Sequence, residues 1–202
     1  MQRIRSLHSG PVVAVGISMG GNALLRWAEE AGSTANQSVR ALAAICSPID
    51  LAAGGWALGR GFNRIVYTPM FLKTMKPKAL MKLQQHPGLF KREALESAQD
   101  LYAFDNVFTA PLHGFRNTDD YWARASAKPQ LPALRVPSLL VHARNDPFVP
   151  AWSLPQPQDV GRYATLWQPG QGGHLGFAQG RPPGHASYLP AAVGPWLQQH
   201  IC

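Results

Sequence analysis

The apolar positions change period twice within the first fifty residues. Val12, Val13, Ala14, Val15 and Ile17 form a largely β-branched run, the kind that builds a strand buried on both faces. Beyond Gly20 and Gly21 the apolar residues Leu24, Trp27, Ala28 and Ala31 recur at helical spacing, and Gly32 stands where a glycine ends a helix. Residues 41–46 (ALAAIC) are a second unbroken apolar run, closed by Ser47-Pro48. Strand, helix, strand predicts a βαβ unit, with parallel strands and a right-handed crossover.

From Leu51 to Ser126 the strand-like runs stop. Helical pieces broken by Pro69, Pro77, Pro87 and Pro111 replace them, and aromatic residues are dense. Thr118-Asp119-Asp120 reads as the start of a short helix, with capping chemistry and early acids. An insert between two strands of a parallel sheet is expected over the strands' C-terminal ends, where ligands bind, so residues 51–126 read as a helical cap. The aromatics are expected to give it an apolar floor and to pack it against the sheet. Strand-like runs return at 138–143 (SLLVHA) and 163–168 (YATLWQ), and 189–201 reads as a closing helix. The expectation is one α/β domain over 1–202: a first βαβ unit (1–50), the cap (51–126) and a C-terminal core (127–202).

A hydrophobic content of 46% against 15% charged residues is globular composition. No apolar run reaches transmembrane length, and MQRIRSLHSG lacks the apolar region of a signal peptide, so a cytoplasmic protein is expected. Two cysteines, Cys46 and Cys202, offer neither a disulfide framework nor metal-ligand spacing, so no metal or cofactor is expected. The net charge of +8 is uneven: residues 51–92 hold eight Lys/Arg and no Asp or Glu. That block is either a solvated face or a peripheral contact with an anionic membrane. No nucleic-acid-binding motif accompanies it, so no nucleic-acid partner is expected.

Gly16-Ile17-Ser18-Met19-Gly20 lies between the first strand and the first helix. A serine on such a sharp turn exposes its Oγ, and the N–H of Met19 becomes an oxyanion donor at the helix start. The plainer reading is a glycine-rich turn with an incidental serine. A nucleophile needs a base and a group that orients the base. His174 follows a strand and two glycines, unlike His8, His86, His113, His185 and His200, while His142 lies within a strand and reads as a satisfied core residue. Asp146 directly follows a strand and is the favoured acid, with Asp50 its rival. In this scheme Ser18 attacks a carbonyl carbon and water resolves the acyl-enzyme. Cys46 has no base placed beside it by the sequence and is set aside as a nucleophile.

The segments VGISMGGNALLRW, ICSPIDLAA, GRGFNRIVY, FDNVFTAPLHGF, DDYWARASA, LLVHARNDPFVP and GGHLGF resemble, in order, the YheT-like branch of the α/β-hydrolases. This bacterial carboxylesterase group is related to eukaryotic abhydrolase-domain lipases. The resemblance implies a mostly parallel sheet flanked by helices, a helical cap, and Ser18, Asp146 and His174 as nucleophile, acid and base. It also implies hydrolysis of esters of short- to medium-chain acyl groups, with acyl transfer to an alcohol and phospholipid cleavage as variants. Family members carry several strands and a His-Gly loop before the elbow, whereas 17 residues precede Ser18 here. The expectation is therefore a core lacking N-terminal strands and the second oxyanion donor. A catalytically impaired fragment that binds lipid or a partner is the non-enzymatic alternative.

Overall fold

A computed structural model describes residues 2–181 and 184–201; Cys202 lies outside them. In chain order the elements are α1 (Gln2–Leu7), β1 (Val13–Ile17), α2 (Met19–Ala31), α3 (Ala35–Ser38), β2 (Ala41–Ile45), α4 (Leu51–Leu58), α5 (Gly61–Ile65), α6 (Tyr67–Gln85), α7 (Arg92–Ser97), α8 (Leu101–Phe104), α9 (Ala110–Leu112), α10 (Thr118–Ala125), β3 (Ser138–Val141), β4 (Ala164–Trp167) and α11 (Tyr188–Gln198). They divide into two compact units, residues 1–50 with 126–202, and residues 51–125.

The first unit is built on a parallel sheet in the order β1-β2-β3-β4. Alternate residues of the central strands face opposite layers, as the pleat requires. Leu42, Ala44 and Leu140 join Leu25 and Ala28 of α2 in one core, while Ala43, Ile45, Leu139 and Val141 join Val193 of α11 in the other. The register sets Ile17 beside Ile45, Ile45 beside Val141 and Val141 beside Trp167. The four strands therefore finish together, and the residues after them share one edge.

β2 is buried throughout, but β1 departs from expectation. It is the outer strand, and Val15 and Ile17 are each 49% exposed rather than buried. Its β-branched composition suits a pleated surface wherever the strand sits, so composition did not reveal the edge. On α2 the buried face comprises Gly21, Asn22, Leu25, Ala28 and Glu29, with Leu24, Trp27 and Ala31 partly buried around it. Gly32, at φ 53, ends this helix by donating its N–H to Ala28 O. Arg26 pairs with Glu29 at 2.9 Å and Glu30 at 2.7 Å. Burial nevertheless pushes the Glu29 carboxyl up to about 7.

The second unit is helical. Leu72, Ala79, Leu95, Ala98 and Phe104 form its core. Within this unit aromatics pack on one another: Trp56 stacks on Tyr102 at 5.4 Å, and both meet Trp122 edge-on. The indole N–H of Trp122 donates to Asp105 at 2.9 Å, and burial raises the Asp105 pKa above its ordinary value. The capping side chain of α10 is Asn117, whose Oδ1 accepts from Asp120 N; the Thr118 hydroxyl donates to Tyr102 O instead. Among the described residues no helix is long and apolar enough to cross a membrane.

Candidate active site

Ser18 follows β1 and opens α2 with φ 52 and ψ −129, a backbone that L-residues adopt only under strain. Such a conformation costs about 1–3 kcal/mol and persists where its surroundings hold it. Here the Ser18 N–H donates to Ile45 O at 2.8 Å, and Ser18 O accepts from Gly21 N at 2.9 Å and Asn22 N at 3.3 Å. The glycines have unequal roles. A Cβ on Gly16 would come within 2.6 Å of Gly20 O, and one on Gly21 would overlap Ser47 Oγ, whereas one on Gly20 would meet nothing within 4 Å. The turn thus depends on the first glycine of the five-residue pattern and on the glycine just beyond it. Met19 occupies the first helical position, so its N–H belongs to the unpaired amides of a helix start.

On the same sheet edge, His174 Nδ1 lies 2.8 Å from Asp146 Oδ2. The carboxylate side chain is fully buried and the imidazole is 18% exposed. A carboxylate only accepts, so the hydrogen of a neutral ring sits on Nδ1 and Nε2 is left as an acceptor. Asp146 Oδ1 accepts from Phe148 N at 2.8 Å and Val149 N at 3.3 Å, which fixes the carboxylate. The Phe148 ring packs edge-on against His174 at 4.7 Å. His174 thus pairs with Asp146, not with the rival Asp50. Among the described residues no hydrogen bond joins Ser18 Oγ to His174; such bonds often tighten only when substrate binds.

Three neighbours were not evident from the sequence as parts of this site. Asn145 Oδ1 accepts from Gly172 N and Gly173 N, both at 2.9 Å, and Asn145 Nδ2 donates to Gln171 at 2.6 Å, tying the histidine loop to the end of β3. The local signal was an Asn after a strand, a residue type that binds backbone amides, but its partners stand 27 and 28 residues on. His142, expected to be a satisfied core residue, is satisfied at one nitrogen. Its Nε2 lies 2.9 Å from Ser47 O and its Nδ1 has no partner, while burial lowers its pKa and keeps the ring neutral. Cys46 has positive φ (47) and lies beside Asp146 and His174, so the fold supplies the neighbouring base that the sequence did not. Burial pushes its thiol up to about 12, which leaves it neutral and a poor nucleophile.

A profile of the alpha/beta hydrolase fold matches residues 4–180. Escherichia coli YheT is 30% identical over 199 residues, taking in 98% of this chain and 58% of YheT. Phospholipase ABHD3 of Mus musculus is 28% identical, with 100% of this chain aligned to 49% of that protein. The chain spans about half the length of these curated relatives. Among solved structures, the esterase domain of a Rhodothermus marinus protein superposes with a TM-score of 0.51 at 19% identity, over 100% of this chain and 66% of that one. The profile match, the parallel sheet and the order of residues along its edge agree: this chain belongs to the α/β-hydrolase fold family.

Proposed function

We propose that the chain carries the nucleophile, base and acid of a serine hydrolase that cleaves carboxylic esters. The observation that carries the reading is a strained Ser18 on a strand-to-helix turn, at the sheet edge that also bears His174 paired with the buried Asp146. His174 Nε2 accepts the Ser18 Oγ proton as the oxygen attacks the ester carbonyl, and Asp146 stabilises the imidazolium. The Met19 N–H donates to the tetrahedral oxyanion. His174 then returns the proton to the departing alcohol, and water, deprotonated by the same ring, releases the acid from the acyl-enzyme. Similarity to YheT and to phospholipase ABHD3 supports ester substrates, and we assign acyl groups of short to medium length. Acyl transfer to an alcohol uses the same intermediate with a different acceptor.

The test is intact-mass detection of a fluorophosphonate adduct, because the reagent needs an activated serine and no known substrate. An adduct on Ser18 that disappears in His174→Ala is the expected result. A folded chain that never labels refutes the catalytic reading and leaves the lipid- or partner-binding alternative. One observation favours a membrane contact in addition. Phe62, Ile65 and Met70 are 68%, 77% and 50% exposed, within the stretch that carries Arg60, Arg64 and Lys73. Apolar side chains interleaved with cations suit an anionic bilayer surface. Sedimentation with anionic but not zwitterionic vesicles, weakened by Phe62→Ser, is expected.

A further inference from the structure

Cys46 takes no part in the proposed reaction, yet it adjoins the groups that do. It follows β2 at the sheet edge where Ser18 follows β1, and it is fully buried. Its Sγ lies 4.0 Å from Gly173 O, in the histidine loop. The thiol, a carboxylate oxygen of Asp146 and a ring nitrogen of His174 all lie within 4.8 Å of one another. We propose that Cys46, Asp146 and His174 form a binding site for a soft divalent cation such as zinc, and that its occupancy disables the base. The second clause rests on the reading of His174 as that base.

The donor chemistry is specific. One thiolate, one imidazole and one carboxylate is a set that suits zinc and not magnesium or calcium. Donors around a tetrahedral zinc stand about 3.5 Å apart, so the Asp146 oxygen and His174 Nδ1, now 2.8 Å apart, must open by about 0.7 Å while the thiol closes on them. Gly172 and Gly173 directly precede the histidine and allow that adjustment, while the partly exposed imidazole leaves a fourth position open to solvent. A neutral buried thiol needs a strong local positive charge to ionise, and a bound cation supplies one while the thiol proton leaves to solvent.

The consequence follows from the tautomer. Asp146 now holds the ring hydrogen on Nδ1, and Nε2 keeps the lone pair that Ser18 needs. A cation on Nδ1 takes that nitrogen's lone pair, so the neutral ring carries its hydrogen on Nε2. Nε2 then cannot accept the serine proton, although every residue of the site remains in place.

The experiment uses the full chain carrying Cys202→Ser, so that Cys46 is the sole thiol. Cadmium is titrated and the ultraviolet charge-transfer band of a cadmium–thiolate bond is read, followed by competition with zinc and with magnesium. The expected result is a saturable band that zinc displaces and magnesium does not. Ser18→Ala should leave it unchanged, Cys46→Ala should abolish it, and His174→Ala should weaken binding at least about tenfold. Zinc should also block fluorophosphonate labelling of the Cys202→Ser chain, reversibly with a chelator, but not in Cys46→Ala. No band at saturating cadmium, a band indifferent to His174→Ala, or a zinc block that persists in Cys46→Ala overturns the proposal. The band needs no turnover, so a chain that never labels refutes the hydrolase reading while the metal site is still decided.

Discussion

Adding one methyl group to either of two adjacent glycines should move stability in opposite directions. A Cβ on Gly21 would overlap Ser47 Oγ and come within 2.9 Å of Gly16 O, which is backbone and cannot swing away. Overpacking of this kind typically costs about 1–3 kcal/mol. Displacing Ser47 also disturbs its hydroxyl bond to Ile45 O, worth about 1 kcal/mol. Against this, alanine is favoured over glycine in a helix by about 1 kcal/mol. The net for Gly21→Ala is a loss of about 2 kcal/mol, or a melting point lower by about 4–8 °C in a chain of this size. Gly20 has open space at its Cβ, so Gly20→Ala keeps the helix gain and should be neutral or stabilising by up to about 1 kcal/mol. Urea unfolding followed by tryptophan fluorescence measures both, provided the m-value is unchanged. In Gly21→Ala with Ser47→Ala the Gly16 contact remains, so only part of the loss should return. A Gly20→Ala chain less stable than Gly21→Ala would refute the packing argument.

Asn145→Ala removes two backbone amide contacts of about 1 kcal/mol each; fluorophosphonate labelling should slow by about thirtyfold, with faster amide exchange over residues 171–176, and unchanged exchange would sink this role. Asp146→Asn keeps an oxygen for Phe148 N and Val149 N but loses the charge that stabilises the imidazolium. Labelling should fall by about ten-thousandfold with little change in the unfolding midpoint. Glu29 has a pKa raised from 4.5 to about 7, so its favourable contribution is present below pH 4.5 and is lost as pH rises through 7. Glu29→Gln should therefore gain about 1–2 kcal/mol over the parent at pH 8, after discounting for screening, and nothing near pH 4; a pH-independent difference in urea midpoints would contradict this.

The elements that were legible in the sequence are those whose signals are local. The run from Val12 to Ile17, the glycines around Ser18 and the helical spacing from Leu24 to Ala31 each lie within one or two turns of chain. They located β1, the elbow and α2. Asp146 and His174 were legible as candidates because each lies in the loop that follows a strand-like run, and a parallel sheet sends both loops to one edge. What escaped depends on partners remote in the chain. Asn145 reads as an ordinary turn residue until the loop it ties arrives from 27 residues away. Cys46 seemed without a base because His174 is brought to it only by the stacking of β2, β3 and β4. The exposure of β1 is set by the absence of a second strand neighbour among the described residues, not by its own side chains.

The helical unit interrupts the sheet between β2 and β3, so Leu42 must find Ser138 across the whole of residues 51–125. Loop-closure entropy grows only with the logarithm of length, and halving the interruption would change it by about 0.6 kcal/mol. The sheet's stability is therefore nearly indifferent to how long that excursion is, and helices can be added to or removed from it at little thermodynamic penalty. Rate is a different matter. β1, α2 and β2 can associate early, but β2 gains its second neighbour only after the entire excursion has been traversed. Pairing of such high contact order is slow, so the edge that carries the proposed nucleophile waits, during folding, for the strand that brings its acid.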